Sequence, residues 1–164
     1  MDVKIKDDNQ VFNYCARALI EQDGKLLIIC VNDADYYHLP GGHVEIGEES
    51  AQALQREIQE EVGFAVTLDR LVLVSEQFYT KKDIKNHSII FYYTARPQGD
   101  VPTVNSVRME QGHTRINKNE LRWVTRDELK DLDVRPVKIK TLILANQWDQ
   151  LQHFVDRSQI QSND

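Results

Sequence analysis

The chain has 164 residues, a formal net charge of −6, 41% hydrophobic and 28% charged residues, a balance that excludes wholesale disorder and suffices for one substantial core. An acidic surplus argues against a non-specific DNA or RNA binder, which would carry a basic surface. A small anionic substrate is still compatible, because a bound metal can supply a positive field locally. The opening residues, MDVKIKDDNQ, hold no signal-peptide core, and no later run reaches membrane-span length, so a cytoplasmic protein with no membrane partner is expected. No linker or repeat divides the chain. One domain is expected over 1–156, with 157–164 a polar tail that has almost nothing to bury and is expected to be disordered.

Residues 11–20 read as a strand, Asp23-Gly24 as a hairpin turn, and 25–31 as a second, buried strand. Cys15 and Cys30 lie inside these apolar runs, where a buried free thiol is the ordinary reading. Arg17 interrupts the first strand, either as a solvated strand position or as a contact to a ligand phosphate. A polar loop over 32–37 leads to His38-Leu39 and then Pro40-Gly41-Gly42. Paired glycines let backbone approach a ligand closely, although alone they also read as a plain turn.

Residues 50–62 lack Gly and Pro and carry Ala51, Leu54, Ile58 and Val62 at steps of three and four, the stripe of an amphipathic helix. Glu49 occupies the capping position, and Gly63 stands where a left-handed cap is wanted. At roughly 100° per residue, Glu57, Glu60 and Glu61 fall on one face, beside the stripe. Such a cluster repels itself and opposes the helix dipole, and rules broken this way mark functional sites; a solvated acidic face is the bland alternative. Oxygen-only ligands select hard cations, so Mg²⁺ or Mn²⁺ is implied in place of zinc.

Beyond the helix, 65–79 reads as one long strand or two, Lys81-Lys82-Asp83 as a turn, and 87–95 (HSIIFYYTA) as a strong strand. Residues 96–119, with Pro97, Gly99, Pro102 and Gly112, read as a long aperiodic loop, which in a compact domain is usually functional. Residues 120–124 read as a short strand. Thr125 caps a helix through Leu132, with Glu128 completing a capping box. Pro136 opens a final helix to about Phe154, with Ile139, Leu142, Ile143 and Trp148 facing the sheet. Strands on both sides of one helix predict an α/β fold with a mixed sheet between helices.

The run from Leu39 to Phe64, LPGGHVEIGEESAQALQREIQEEVGF, fixes Gly42, Glu48, Arg56, Glu57, Glu60, Glu61 and Gly63 in a spacing that resembles the signature of the Nudix hydrolases. That family cleaves a nucleoside diphosphate linked to another group X. The one departure is Phe64, where the family usually carries Ile, Leu or Val. The resemblance implies the Nudix-type α/β/α sandwich and a divalent-metal-dependent pyrophosphohydrolase. It assigns Glu57, Glu60 and Glu61 as ligands of Mg²⁺ or Mn²⁺ with help from the Gly41 carbonyl, and Glu48 and Arg56 as a pair that holds the loop on the helix. Gly42, Arg17 and His43 are the candidates on the substrate side, with His38, which flanks the same glycines, a further one; Glu45 resembles a glutamate that many family members carry after the paired glycines, a support for the loop or, through water, for the metals. The general base is Glu57 itself or an acid from the 96–119 loop, Glu110 first and Glu120 second.

Substrate identity lies outside the box. Tyr79 stands at the distance past the box where dinucleoside polyphosphate hydrolases of the family carry a tyrosine, and the proline of many ADP-ribose hydrolases is missing, although the chain also resembles bacterial ADP-ribose pyrophosphatases and nucleotide-pool cleaners of the MutT type. A non-catalytic nucleotide sensor of the same fold and an RNA 5′-pyrophosphohydrolase are the rival functions. The first would lose box carboxylates and the second would want a basic channel. Many relatives form dimers, so a homodimer is compatible, but nothing in the sequence forces one.

Overall fold

Alternation along one central strand organises the molecule. The computed structural model describes residues 1–81, 83–111 and 116–157. In chain order the elements are β1 (Lys4–Asp7), β2 (Gln10–Gln22), β3 (Lys25–Val31), α1 (Ser50–Glu61), β4 (Val66–Lys81), β5 (Ile84–Pro97), β6 (Ser106–Gln111), β7 (Ile116–Thr125), α2 (Arg126–Asp131), α3 (Val137–Ala145) and β8 (Gln152–Asp156). The sheet runs β6-β7-β3-β2-β5-β4-β8, with β1 paired to β2. It is mixed: β2 pairs β5 and β4 pairs β8 in parallel, while the other neighbours are antiparallel.

Successive residues of a strand point to opposite faces, so β2 feeds two cores. Ala16, Ala18 and Ile20 join Leu27, Ile29 and the α1 residues Ala53, Leu54, Ile58 and Val62 on one side. Cys15 and Leu19 join Ile28, Tyr92, Val124 and the α3 residues Ile139, Leu142 and Ile143 on the other. Helices on both faces of a mixed sheet give the expected α/β sandwich. The β2–β3 connection bends at Asp23 (φ 51°) and Gly24 (φ 72°), two consecutive left-handed residues that match the twist of a tight hairpin. Both cysteines are free and buried.

Three expectations are corrected, and one strand is added. The final helix stops at Ala145, where Asn146 takes a left-handed cap (φ 51°). Phe154 then lies in β8, paired in parallel with β4. Asn favours that cap, and an open edge of β4 offers the following residues a strand partner that no local signal announces. The 96–119 stretch is not a loop throughout, because Ser106–Gln111 forms a hairpin with β7. Its residues are nearly all exposed, and an edge strand without a buried face has no reason to alternate. Residues 4–7, left unassigned by the sequence, form β1 on the same principle. In α1 it is Ala53, not Ala51, that is fully buried.

Other elements fall where expected. β4 is a single strand with register shifts between Leu68 and Arg70 and between Leu71 and Leu73. The capping box at the start of α2 forms, with Glu128 N–H donating to Thr125 Oγ1 at 3.2 Å and Thr125 N–H donating to Glu128 Oε2 at 2.8 Å. In the turn after β4, Asp83 is left-handed (φ 61°), while Lys82 lies outside the described residues. So does the proposed tail beyond Arg157, whose guanidinium stacks on the Phe78 ring, 4.5 Å from its centroid.

Leu54 is fully buried where α1 meets the loop before it. Leu54→Ala should lower unfolding free energy by about 2–5 kcal/mol, read as a shift of the urea midpoint at unchanged slope; a loss under about 1 kcal/mol would show that α1 is not held by this contact.

Candidate active site

The site is built where the loop before α1 crosses the C-terminal half of that helix. Gly41 takes φ 127°, a conformation side chains rarely adopt, and a Cβ there would collide with the Ala16 carbonyl. At Gly42 a Cβ would collide with the Glu57 carboxylate. Gly41 is therefore required by its backbone conformation and close approach, while at Gly42 a side chain would displace the Glu57 carboxylate. The Gly41 peptide is held at both ends: its N–H donates to Glu61 Oε2 at 2.8 Å, and its carbonyl accepts from Arg17 Nη1 at 2.6 Å.

Arg17 Nη1 also donates to the Leu39 carbonyl at 2.9 Å and lies 3.1 Å from His38 Nδ1. The side chain is thus not a solvated strand position; it fastens the loop to β2 and lines the cavity beside it.

A second guanidinium clamps the loop to the helix. Arg56 donates through Nε to Glu48 Oε1 at 3.1 Å and through Nη2 to Glu48 Oε2 at 3.0 Å, the bidentate pairing implied by the resemblance. It also donates to Glu57 Oε1 at 2.8 Å and to the His43 carbonyl at 3.2 Å. This partnership holds the Glu48 carboxyl below the usual carboxylate range.

The three glutamates of the box lie on one side of α1 and differ in burial. Glu61 turns into the core, Glu57 is 15% exposed and Glu60 is 50% exposed. Glu61 follows Ile58 by three positions and so continues the buried stripe instead of flanking it. Burial pushes the Glu61 carboxyl up to about 8, opposed by Arg17 and the Gly41 N–H and reinforced by Glu57 and Glu110. Burial also raises Glu57, against the pull of Arg56.

Glu110 projects from β6 toward this cluster and accepts from Asn119 Nδ2 at 2.8 Å. Glu120, its expected alternate, follows Asn119 on β7 and points to the opposite face, where Tyr37 Oη donates to it at a long 3.5 Å. Glu45 pairs with the Met1 ammonium at 2.9 Å. His43 Nε2 lies 3.2 Å from Asn13 Oδ1. On the far side of the loop a cavity of about 820 Å³ is lined by Arg17, His38, His43, Tyr79, Asn13 and Tyr92, among others. The sequence reading missed Asn119, which is fully buried.

As the side chains are placed, no three His, Cys, Asp or Glu groups among the described residues stand close enough to hold a metal ion. The donor chemistry nevertheless fits a hard cation. Glu57 and Glu61 are carboxylates withdrawn from water, their charge destabilised by burial, with a further carboxylate at Glu60.

The comparisons agree with this geometry. A family model described as the NUDIX domain matches residues 13–144, and the chain belongs to that family. A MutT-like protein from Streptomyces ambofaciens is 27% identical over 116 residues, which make up 71% of this chain and 65% of that relative, so the match leaves about a third of the relative uncovered. Among solved structures, a UDP-X diphosphatase superposes with a TM-score of 0.60 at 20% identity, over 87% of this chain and 66% of that one. A MutT mutator protein from Bacillus halodurans superposes with a TM-score of 0.62 at 18% identity, over 87% and 90%. At these identities the superpositions establish the fold alone.

Burial, and then the Arg17 charge, push the His38 imidazole down to about 3 from an ordinary value of 6.5. The fold therefore holds the neutral ring, while the unfolded chain binds a proton below pH 6.5, so this contribution to stability is present above that pH and is lost toward pH 3. Urea midpoints of the wild type should fall relative to those of His38→Gln as the pH drops through this window. Parallel curves for the two proteins would contradict the assignment.

Proposed function

We propose that this chain is a divalent-metal-dependent hydrolase of phosphoanhydride bonds, acting on a nucleoside diphosphate linked to a second group. The observation that carries the reading is the buried Glu57–Glu61 pair set against the glycine loop. Two acids pressed out of water beside a glycine loop make a poor structural device and a good receptor for Mg²⁺ or Mn²⁺. Bound there by Glu57, Glu60, Glu61 and the Gly41 carbonyl, the ion would supply charge neutralisation of the phosphates and a water of lowered pKa.

The chain's own groups do the rest. Arg56 holds Glu57 toward Gly42 and keeps Glu48 ionised, which fixes the loop against the helix. Arg17 and Glu61 grip the two ends of the Gly41 peptide, so its carbonyl keeps one orientation. Glu57 or Glu110 takes the proton of the attacking water; both are carboxylates at the edge of the cluster. The cavity beside Arg17 and His43 is of a size that takes small ligands and would receive the nucleotide, with Tyr79 in its wall.

The relatives carry names that point to different nucleotides, a UDP derivative in one case and the MutT class in others. Nucleotide hydrolysis is therefore the common ground, residues 1–156 acting as one domain and a cytoplasmic setting fitting such a substrate. The intact box carboxylates favour a catalyst over a sensor.

A panel of nucleoside triphosphates, nucleotide sugars, ADP-ribose and dinucleoside polyphosphates, assayed with Mg²⁺ and with Mn²⁺, should reveal turnover of at least one member that excess chelator abolishes; undiminished turnover in chelator would sink the proposal. In the same assay Glu60→Gln should lose about 10–100-fold in activity or metal affinity. Its metal-free stability should stay within roughly 0.5 kcal/mol, because relief of like-charge repulsion and loss of the 3.5 Å contact to Arg56 oppose one another.

A further inference from the structure

Asn119 has no exposed surface. It sits in β7 between Val31 of β3 and Arg108 of β6, and its Nδ2 donates to Glu110 Oε2 at 2.8 Å and more weakly to the Glu61 carbonyl at 3.4 Å. Both neighbours are acceptors, so the nitrogen must face them and the oxygen must face away. That oxygen, Oδ1, is buried and has no hydrogen-bond partner among the described residues. Unpaired buried acceptors are few in native proteins, and each is costly.

A tie to the end of α1 would account for the weak bond to the Glu61 carbonyl, one of the groups a helix terminus leaves unpaired. It accounts for neither the stronger bond to Glu110 nor the unpaired oxygen. Glu110 is one of the charges that raise the Glu61 carboxyl, so the two acids repel each other. Without a donor at 2.8 Å nothing described would keep the Glu110 carboxylate beside Glu61.

We propose that Asn119 is a positioning residue of the hydrolytic site: its Nδ2 fixes the Glu110 carboxylate next to Glu61. The proposal rests on the metal-site reading of Glu57, Glu60 and Glu61 given above. Groups that orient ligands and their waters, without touching the ion, commonly govern affinity and rate as strongly as the ligands.

The test is a double-mutant cycle of Asn119→Ala and Glu110→Gln, with Asn119→Asp, which keeps the volume and loses the amide donor, used should the alanine variant fail to fold. Asn119→Ala should lower kcat by about tenfold or more and leave KM within about twofold, while adding less than about twofold in the Glu110→Gln background. Equal losses in both backgrounds, or an unchanged kcat, would overturn the proposal. So would wild-type kcat in Glu110→Gln alone, a variant that leaves the buried strand untouched. Mn²⁺ binding followed by electron paramagnetic resonance needs no substrate and separates the two claims. If the wild type binds no Mn²⁺, the metal-site reading fails; if it binds and Asn119→Ala binds equally well, only the role of Asn119 fails. The expected result is about a tenfold weaker apparent Kd in the variant.

Discussion

The hydrogen bond from the Gly41 N–H to Glu61 Oε2, 2.8 Å long, is the contact on which the rest of the site depends. It joins the loop before α1 to the last turn of that helix, inside the apolar layer between α1 and the sheet. A carboxylate in such a place is unfavourable unless something answers its charge. The Gly41 N–H and the Arg17 guanidinium do so in part, and burial still pushes the carboxyl up to about 8. The site is in this sense incomplete as a piece of protein. Its electrostatics favour a cation there, in keeping with the proposed metal site.

Two guanidiniums approach the loop from opposite sides. Arg17 reaches from β2 and holds the carbonyls of Leu39 and Gly41, while Arg56 reaches from α1 and holds Glu48, Glu57 and the His43 carbonyl. On the proposed reading, a loop beside a metal site must neither collapse onto the helix when no ion is bound nor drift away from it. Bracing it from a strand and from a helix meets both requirements, because each element is fixed by its own core: Ala16 and Ala18 anchor the strand, and Leu54 and Ile58 anchor the helix.

Much of this was legible in the sequence, and the reasons are local. The β2–β3 hairpin, α1 and the start of α2 are announced by alternation, by helical spacing and by residues such as Asp23-Gly24, Gly63 and Thr125 whose backbone role is decided within a few positions. The elements that escaped, β1, β6 and β8, are edge strands that bury little and therefore carry no periodic pattern. The overlong final helix failed for a related reason: the apolar spacing after Pro136 suits a helix, while the left-handed cap at Asn146 ends it and the residues beyond pair with β4 as β8. At the site, the Glu48–Arg56 clamp follows from the box. The inward turn of Glu61 and the involvement of Asn119 do not, since the first depends on how α1 is rotated against the sheet and the second joins residues 58 positions apart.

The account stands most directly on the claim that the acid cluster at the C-terminal end of α1 is a receptor for a divalent ion. Calorimetric titration of Mg²⁺ and of Mn²⁺ into the wild-type protein and into Glu61→Gln tests it without knowledge of any substrate. Saturable binding to the wild type, weakened about tenfold or more in the variant, is the predicted result. Binding of equal strength in both proteins, or none in either, would contradict it.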